Sequence, residues 1–205
     1  MCYLSIANKE LHQHLRVDWH DMKNHLSLIG WYLQRQEYGK AQQYLSELGG
    51  ELEAGKEYVR TGNVELDSIL NYKLEYGEKK AGSDIKVSVE VPDKLLMPAF
   101  DLNVLLSNLL DNAIEAVQKA DDRLIDLKIR FSREILYVSV YNTFDGKLRE
   151  REGKLFSTKK AAGEHVIGLE NVKGIVEKYN GTMKVGYEGE FFQTDIVLFL
   201  EAAGE

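Results

Sequence analysis

The chain has 205 residues, 44% of them hydrophobic and 29% charged, with a formal net charge of −7. That makeup fits a globular protein with one domain of ordinary size plus a smaller one, and the acidic balance excludes a binder of nucleic-acid backbones, which needs a basic surface. A single cysteine, Cys2, excludes an internal disulfide framework and suits a reducing compartment, while the absence of a secretory signal and of any run near the roughly 20 apolar residues of a membrane span excludes an exported or membrane-crossing segment within this stretch.

A helical pattern begins almost at once, near Leu4, as expected of a piece cut from a longer chain. Leu15, Trp19, Met22, Leu26, Ile29 and Leu33 follow at alternating intervals of four and three residues, a heptad seam that calls for a partner helix. After Gln36-Glu37-Tyr38-Gly39 the apolar positions resume at Ala41, Tyr44, Leu45, Leu48 and Leu52, so residues 1–62 read as an α-hairpin with a short turn. Gly49, Gly50 and Gly55 weaken its second helix, each by about 1 kcal/mol relative to alanine. Two helices bury too little surface to stand alone, and pairing of two copies into a four-helix bundle supplies the rest.

Thr61-Gly62-Asn63 is a turn signal, and the second domain is placed at 63–205. Leu66, Ile69, Leu70 and Leu74 predict an amphipathic helix. Ile85, Val87, Val89 and Val91 alternate as a half-buried strand, and Pro92 and Pro98 bracket the loop after it. Leu102, Leu105, Leu106, Leu109, Leu110, Ala113, Ile114 and Val117 then give a helix with one wide buried face. Two alternating runs, Ile125–Phe131 and Leu136–Val140, joined by Ser132-Arg133-Glu134, predict an antiparallel pair. Phe144 to Ile167 has no clear period, which in a compact domain marks a functional or disordered loop. A helix is expected from Gly168 or Leu169 to Tyr179, closed by Asn180-Gly181, followed by strands near 182–187 and 191–200. The fold class is therefore α+β: an N-terminal helical hairpin followed by a two-layer sandwich with a mostly antiparallel sheet.

Two polar patterns stand out. On the long helix, Asn108, Asn112, Glu115 and Lys119 share one stripe off the apolar face, although helix stability asks for neither asparagine. A solvated polar face fits the spacing equally well. In the hairpin, His12 falls on the seam and His14 and His25 on its flanks, whereas His20 lies about 140° from the seam centre at about 100° per residue. His20 is thus presented to solvent, as an ordinary surface histidine or as one that a large cosubstrate reaches.

NLLDNAIEA, from Asn108 to Ala116, resembles the N box of the GHKL ATPases, and HDMKNH, from His20 to His25, is similar to the phosphoacceptor box of AgrC-like sensor histidine kinases. The resemblance implies a GHKL (Bergerat-type) sandwich in which this helix floors an ATP pocket and Asn112 holds Mg2+. Hydrolysing members carry a glutamate where Asn108 stands; an amide cannot act as a general base for water, which favours transfer to a side chain. In the hairpin it implies that His20 is phosphorylated, that Asp21 is its base, and that Asn24 orients water in members with phosphatase activity. An adjacent carboxylate holds the reactive tautomer of a nucleophilic imidazole.

Three further segments resemble the same group. VSVYNT ends a strand where most histidine kinases place an aspartate that reads the adenine amino group; Asn142 stands there, and only Gly146 is near in place of the usual glycines. Phe156-Ser157-Thr158-Lys159-Lys160 resembles the ATP-lid segment, with Lys159 or Lys160 pairing with triphosphate oxygens. GEHVIGLENV, from Gly163, resembles the G box, in which Gly168 and Leu169 open a helix whose backbone N–H groups face phosphate; the group usually has glycine where Val166 stands. His165 matches a common residue of the group and is given no role.

The leading expectation is the cytoplasmic part of a two-component sensor histidine kinase, using ATP and Mg2+, dimeric through the hairpins. His20 is autophosphorylated and passes phosphate to an aspartate in the receiver domain of a separate response regulator. No nucleic acid is involved, and a membrane only through an upstream segment outside this sequence. The alternative is a catalytically degenerate GHKL protein acting as a dimeric docking or phosphorelay module, motivated by Val166 and the missing glycines after Asn142. A hydrolysing ATPase is disfavoured by Asn108 and by the HDMKNH hairpin.

Overall fold

A computed structural model describes residues 20–49, 56–146, 149–151, 154–156 and 162–200. The chain divides into two compact units, Met1–Ala54 and Gly55–Glu205.

In the first unit, helix α1 (residues 20–34) and helix α2 (Tyr38–Gly49) form the expected hairpin, with Gln36 in the left-handed region at φ 59° in the turn. The two helices meet along His25, Leu28 and Tyr32 on α1 and Ala41 and Tyr44 on α2, all partly or fully buried. That is not the heptad seam. Of the seam residues, Met22, Leu26 and Leu33 are 52%, 56% and 49% exposed and Ile29 is half-buried, while Leu15 and Trp19, like His12 and His14, lie outside the described residues.

The second unit runs helix α3 (Val64–Ala81), strand β1 (Asp84–Glu90), helix α4 (Ala99–Val117), strands β2 (Leu124–Ser132) and β3 (Ile135–Thr143), short strands β4 (Arg149–Arg151) and β5 (Lys154–Phe156), helix α5 (Ala162–Lys178), and strands β6 (Thr182–Glu188) and β7 (Phe191–Phe199). The main sheet has the order β1-β2-β3-β7-β6, with β1 and β2 parallel and every other pair antiparallel. One face of it carries Ile125, Leu127 and Ile129 from β2, Leu136, Val138 and Val140 from β3, and Ile196 and Leu198 from β7, each no more than 3% exposed. These close against the helices; Leu66, Leu70 and Leu74 of α3 and Leu105, Leu106 and Leu110 of α4 are buried in the same core. The side-chain alternation of a strand and the wide apolar stripe of α4 thus build one two-layer core.

Residues 56–61 pack with this unit although the turn at 61–63 suggested a later boundary. The Asn71 side chain accepts from Tyr58 N and Val59 N and donates to Val59 O, and Asp67 accepts from Thr61 N and Gly62 N. Asn63 is then the N-cap of α3, its Oδ1 accepting from Leu66 N at 2.9 Å.

One boundary needs correction. Helix α5 begins at Ala162 rather than at Gly168 or Leu169. Gly168 reads as the opening of the helix, yet a glycine costs only about 1 kcal/mol inside one, and at Gly168 the lack of a side chain has a packing reason given below. The aperiodic stretch before it also contains the β4–β5 hairpin. At the far end Asn180 turns through φ 47°, and Gly181 passes so close to β7 that a Cβ would lie 2.3 Å from Val197 O, which only glycine permits.

Candidate functional site

Helix α4 holds the centre of the site. Its apolar stripe fixes its rotation, so Asn108, Asp111, Asn112 and Glu115 are left on the opposite, half-buried side. The Asn108 Nδ2 donates to Val104 O at 2.6 Å, which turns the amide oxygen outward. That oxygen meets α5 at Gly168: a Cβ added there would stand 3.1 Å from Asn108 Oδ1 and 3.8 Å from Asn112 Oδ1. The structure therefore brings Asn108, Asn112 and Gly168 to one spot. Gly168 lies within α5 rather than ahead of its N-terminus, so what it contributes is space beside two amide oxygens. Leu169 follows it, half-buried. Neutral oxygen donors beside a glycine cradle are a donor set that suits a hydrated Mg2+ and the phosphates that accompany it.

Asn142 continues the helix-facing row of β3 beyond Leu136, Val138 and Val140. It is 3% exposed, and its Nδ2 donates to Thr143 O at 2.9 Å, which leaves Oδ1 as the acceptor end of the amide. It pairs across the sheet with Ile125 and Phe192, so it marks where the core row ends and a polar group replaces an apolar one. Lys159 and Lys160 lie outside the described residues, as do the side chains of His165 and Val166.

Two clusters flank this stripe that the sequence analysis did not single out. From α3, Lys73 reaches across to α4 and donates to both carboxylate oxygens of Asp111, at 2.8 and 2.7 Å. Lys73 stands four residues after Ile69 and three after Leu70, so a lysine at a core-spaced position was the available signal. At the other end of α4, the buried Asp101 accepts from Lys178 Nζ and Tyr179 Oη, both at 2.6 Å. The hydrogen bond from Lys178, then that from Tyr179, holds the Asp101 carboxyl below its ordinary range; burial, then the bond to Asp101, pushes the Tyr179 hydroxyl above its own. This cluster ties the start of α4 to the end of α5, the end of that helix away from Gly168.

In the hairpin unit, His20 is exposed. The Asn24 Nδ2 donates to its Nδ1 at 3.3 Å, and an Asp21 carboxylate oxygen lies 3.7 Å from the same nitrogen. His20, Asp21 and Asn24 thus form one cluster around Nδ1 that leaves Nε2 directed elsewhere on the ring. His25 differs: its Nδ1 shares a 2.8 Å hydrogen bond with the Tyr44 hydroxyl inside the hairpin. Among the described residues no helix is long and apolar enough to cross a membrane.

The chain is 29% identical over 187 residues to a probable C4-dicarboxylate sensor kinase of Halalkalibacterium halodurans, an alignment that covers 85% of this chain and 34% of that protein; the chain thus spans about a third of the curated relative's length. The catalytic domain of the histidine kinase ThkA superposes with a TM-score of 0.52 at 18% identity, over 68% of this chain and 92% of that one. A second crystal form of it gives 0.51 at 21% identity, with the same coverage of each chain; both are similarities of fold. The model of the GHKL domain family matches residues 97–199, from the loop before α4 to the end of β7. Half the chain is matched, and the match holds the N-box helix, Asn142 and Gly168: the chain belongs to the GHKL domain family.

Proposed function

We propose that this chain is the cytoplasmic phosphotransfer part of a two-component sensor histidine kinase, which autophosphorylates His20 at the expense of ATP and passes the phosphoryl group to an aspartate of a response regulator. The observation that carries the reading is Asn108. Its amide donates to Val104 O; by the N-box resemblance it stands where hydrolysing members carry a water-activating glutamate, and an amide takes no proton from water. The phosphoryl group then needs an acceptor side chain, and His20 is an exposed imidazole beside a carboxylate. The sensor-kinase relative supports this, since its similarity extends over 85% of the chain and so into the hairpin.

In this reading the His20 Nε2 lone pair attacks the γ-phosphorus, a new N–P bond forms, and the bond to the β-phosphate oxygen breaks to release ADP. Asp21 holds the proton on Nδ1, which keeps the lone pair on Nε2, and as base accepts that proton as the N–P bond forms. For that, Nδ1 must exchange the Asn24 amide for Asp21. Asn24 orients water where phosphatase activity is present. Asn142 Oδ1 accepts from the adenine amino group, Asn108, Gly168 and Leu169 line the phosphate end, and Lys159 of the lid adds positive charge. Mg2+, when bound, would neutralise phosphate charge, and Asn112 Oδ1 would be the protein oxygen that holds it. Positioning and charge neutralisation supply most of the catalysis in such transfers.

The exposed Met22, Leu26 and Leu33 on α1, with Leu45 and Leu48 exposed on α2, form the surface on which two hairpins pair. The test is incubation with γ-labelled ATP and Mg2+. Acid-labile, alkali-stable label on the wild type that vanishes in His20→Gln and Asn112→Ala is the expected result. A folded, dimeric chain that takes no label would overturn the reading in favour of a docking or relay module.

A further inference from the structure

The polar stripe of α4 has a charge problem. Between Ser107 and Ala116 it carries Asp111 and Glu115, and its own cation, Lys119, lies a turn beyond Glu115; Lys80 of α3 also bears electrostatically on both carboxylates, but it is Lys73 that is bonded to Asp111. Asp111 immediately precedes Asn112 and lies one turn from Asn108, so a polyphosphate approaching these amides also approaches a carboxylate. Lys73 answers it from another helix. Its side chain is only 16% exposed, whereas that of Asp111 is 46% exposed. The pair is therefore asymmetric: the cation is sunk between α3 and α4, and the anion faces outward.

Burying a lysine is costly. Its position belongs to the apolar stripe of α3, between Leu70 and Leu74, where a leucine or methionine would pack without giving up hydration. A salt bridge in such a place is weak evidence of stabilisation, so its charge needs another explanation. We infer that Lys73 is a positioning residue of the nucleotide site: it cancels the charge of Asp111 so that a triphosphate, and not merely a nucleoside, is accepted beside Asn108 and Asn112. The inference rests on the nucleotide-binding reading of the pocket and adds to it a determinant of phosphate tolerance supplied by α3.

The test uses the whole chain and compares the affinities of Mg-ATP and adenosine for four proteins: wild type, Lys73→Met, Asp111→Asn and the double variant. Circular dichroism of each confirms that it is folded. Lys73→Met removes the cation bonded to Asp111 and weakens Mg-ATP by about tenfold while adenosine affinity stays put, because only charged ligands feel the added negative charge. Asp111→Asn tightens Mg-ATP, and the double variant returns to within about twofold of wild type, as two cancelling charges require. A merely structural lysine would move adenosine and ATP together. A double variant as weak as Lys73→Met would overturn the inference and make Lys73 a direct phosphate ligand, and an unchanged Lys73→Met would overturn it outright. Failure of the wild type to bind either ligand would sink the nucleotide-binding reading itself, a result distinct from all of these.

Discussion

The hairpin and the GHKL unit use apolar residues in opposite ways. On α4, Leu105, Leu106 and Leu110 are no more than 1% exposed within a single chain, closed over by β2, β3 and the flanking helices. On α1, Met22, Leu26 and Leu33 remain about half exposed, because α2 packs instead on the neighbouring stripe of His25, Leu28 and Tyr32. One unit closes its apolar face within its own chain; the other keeps about half of its seam exposed, which under the proposed function is the surface for a second hairpin. On that proposal the difference suits the two tasks: a pocket needs a rigid floor, and a phosphoacceptor needs to be reached.

The sharpest way to break the comparison is to damage each side in turn. Leu106→Ala removes a fully buried side chain from the centre of the finished core and should cost about 3–5 kcal/mol, read as a lower melting temperature that does not depend on protein concentration. Leu26→Ser should leave that transition alone. On the proposed function it acts instead on the pairing of hairpins, twice per dimer, and should weaken association by about 2–3 kcal/mol, a rise of about 30- to 150-fold in the dissociation constant measured by analytical ultracentrifugation. A concentration-independent loss of stability in Leu26→Ser would show that its stripe belongs to the chain's own fold.

What the sequence showed and what it hid follow the same division. Periodicity placed the α4 face and the alternating strands because a core leaves its period in the chain. It also marked the seam, of which Met22, Leu26 and Leu33 stay exposed in the described part of α1. The start of α5 was hidden because Gly168 reads as the opening of the helix, whereas it sits inside it and leaves room beside Asn108. Asp101 was hidden in a different way. An acid in the first turn of a helix is ordinary, and nothing local says that Lys178 and Tyr179, more than seventy residues away, return to it. Lys73 was visible as a charge at a core-spaced position, but its partner on α4 was not.

Asp101 gives the smallest of these effects and the one that depends on pH. Its carboxylate is buried with two donors at 2.6 Å, and Asp101→Asn should cost about 2 kcal/mol, less than a closed ion pair because Lys178 is 57% exposed. The carboxyl is held below its ordinary value, so its contribution is fully present above an unfolded value near 3.9 and is lost as pH falls through the lower folded value. The Tyr179 hydroxyl is raised, so the neutral phenol that donates to Asp101 is favoured by the fold, and that contribution is lost as pH rises above about 10. The anchor between α4 and the end of α5 therefore weakens at both extremes. Thermal unfolding followed from about pH 2 to 5 and again from about pH 9 to 11 should show both slopes in the wild type and shallower ones in Asp101→Asn. Equal slopes in the two proteins would mean that other groups carry the titration and that this end of α5 is held by packing alone.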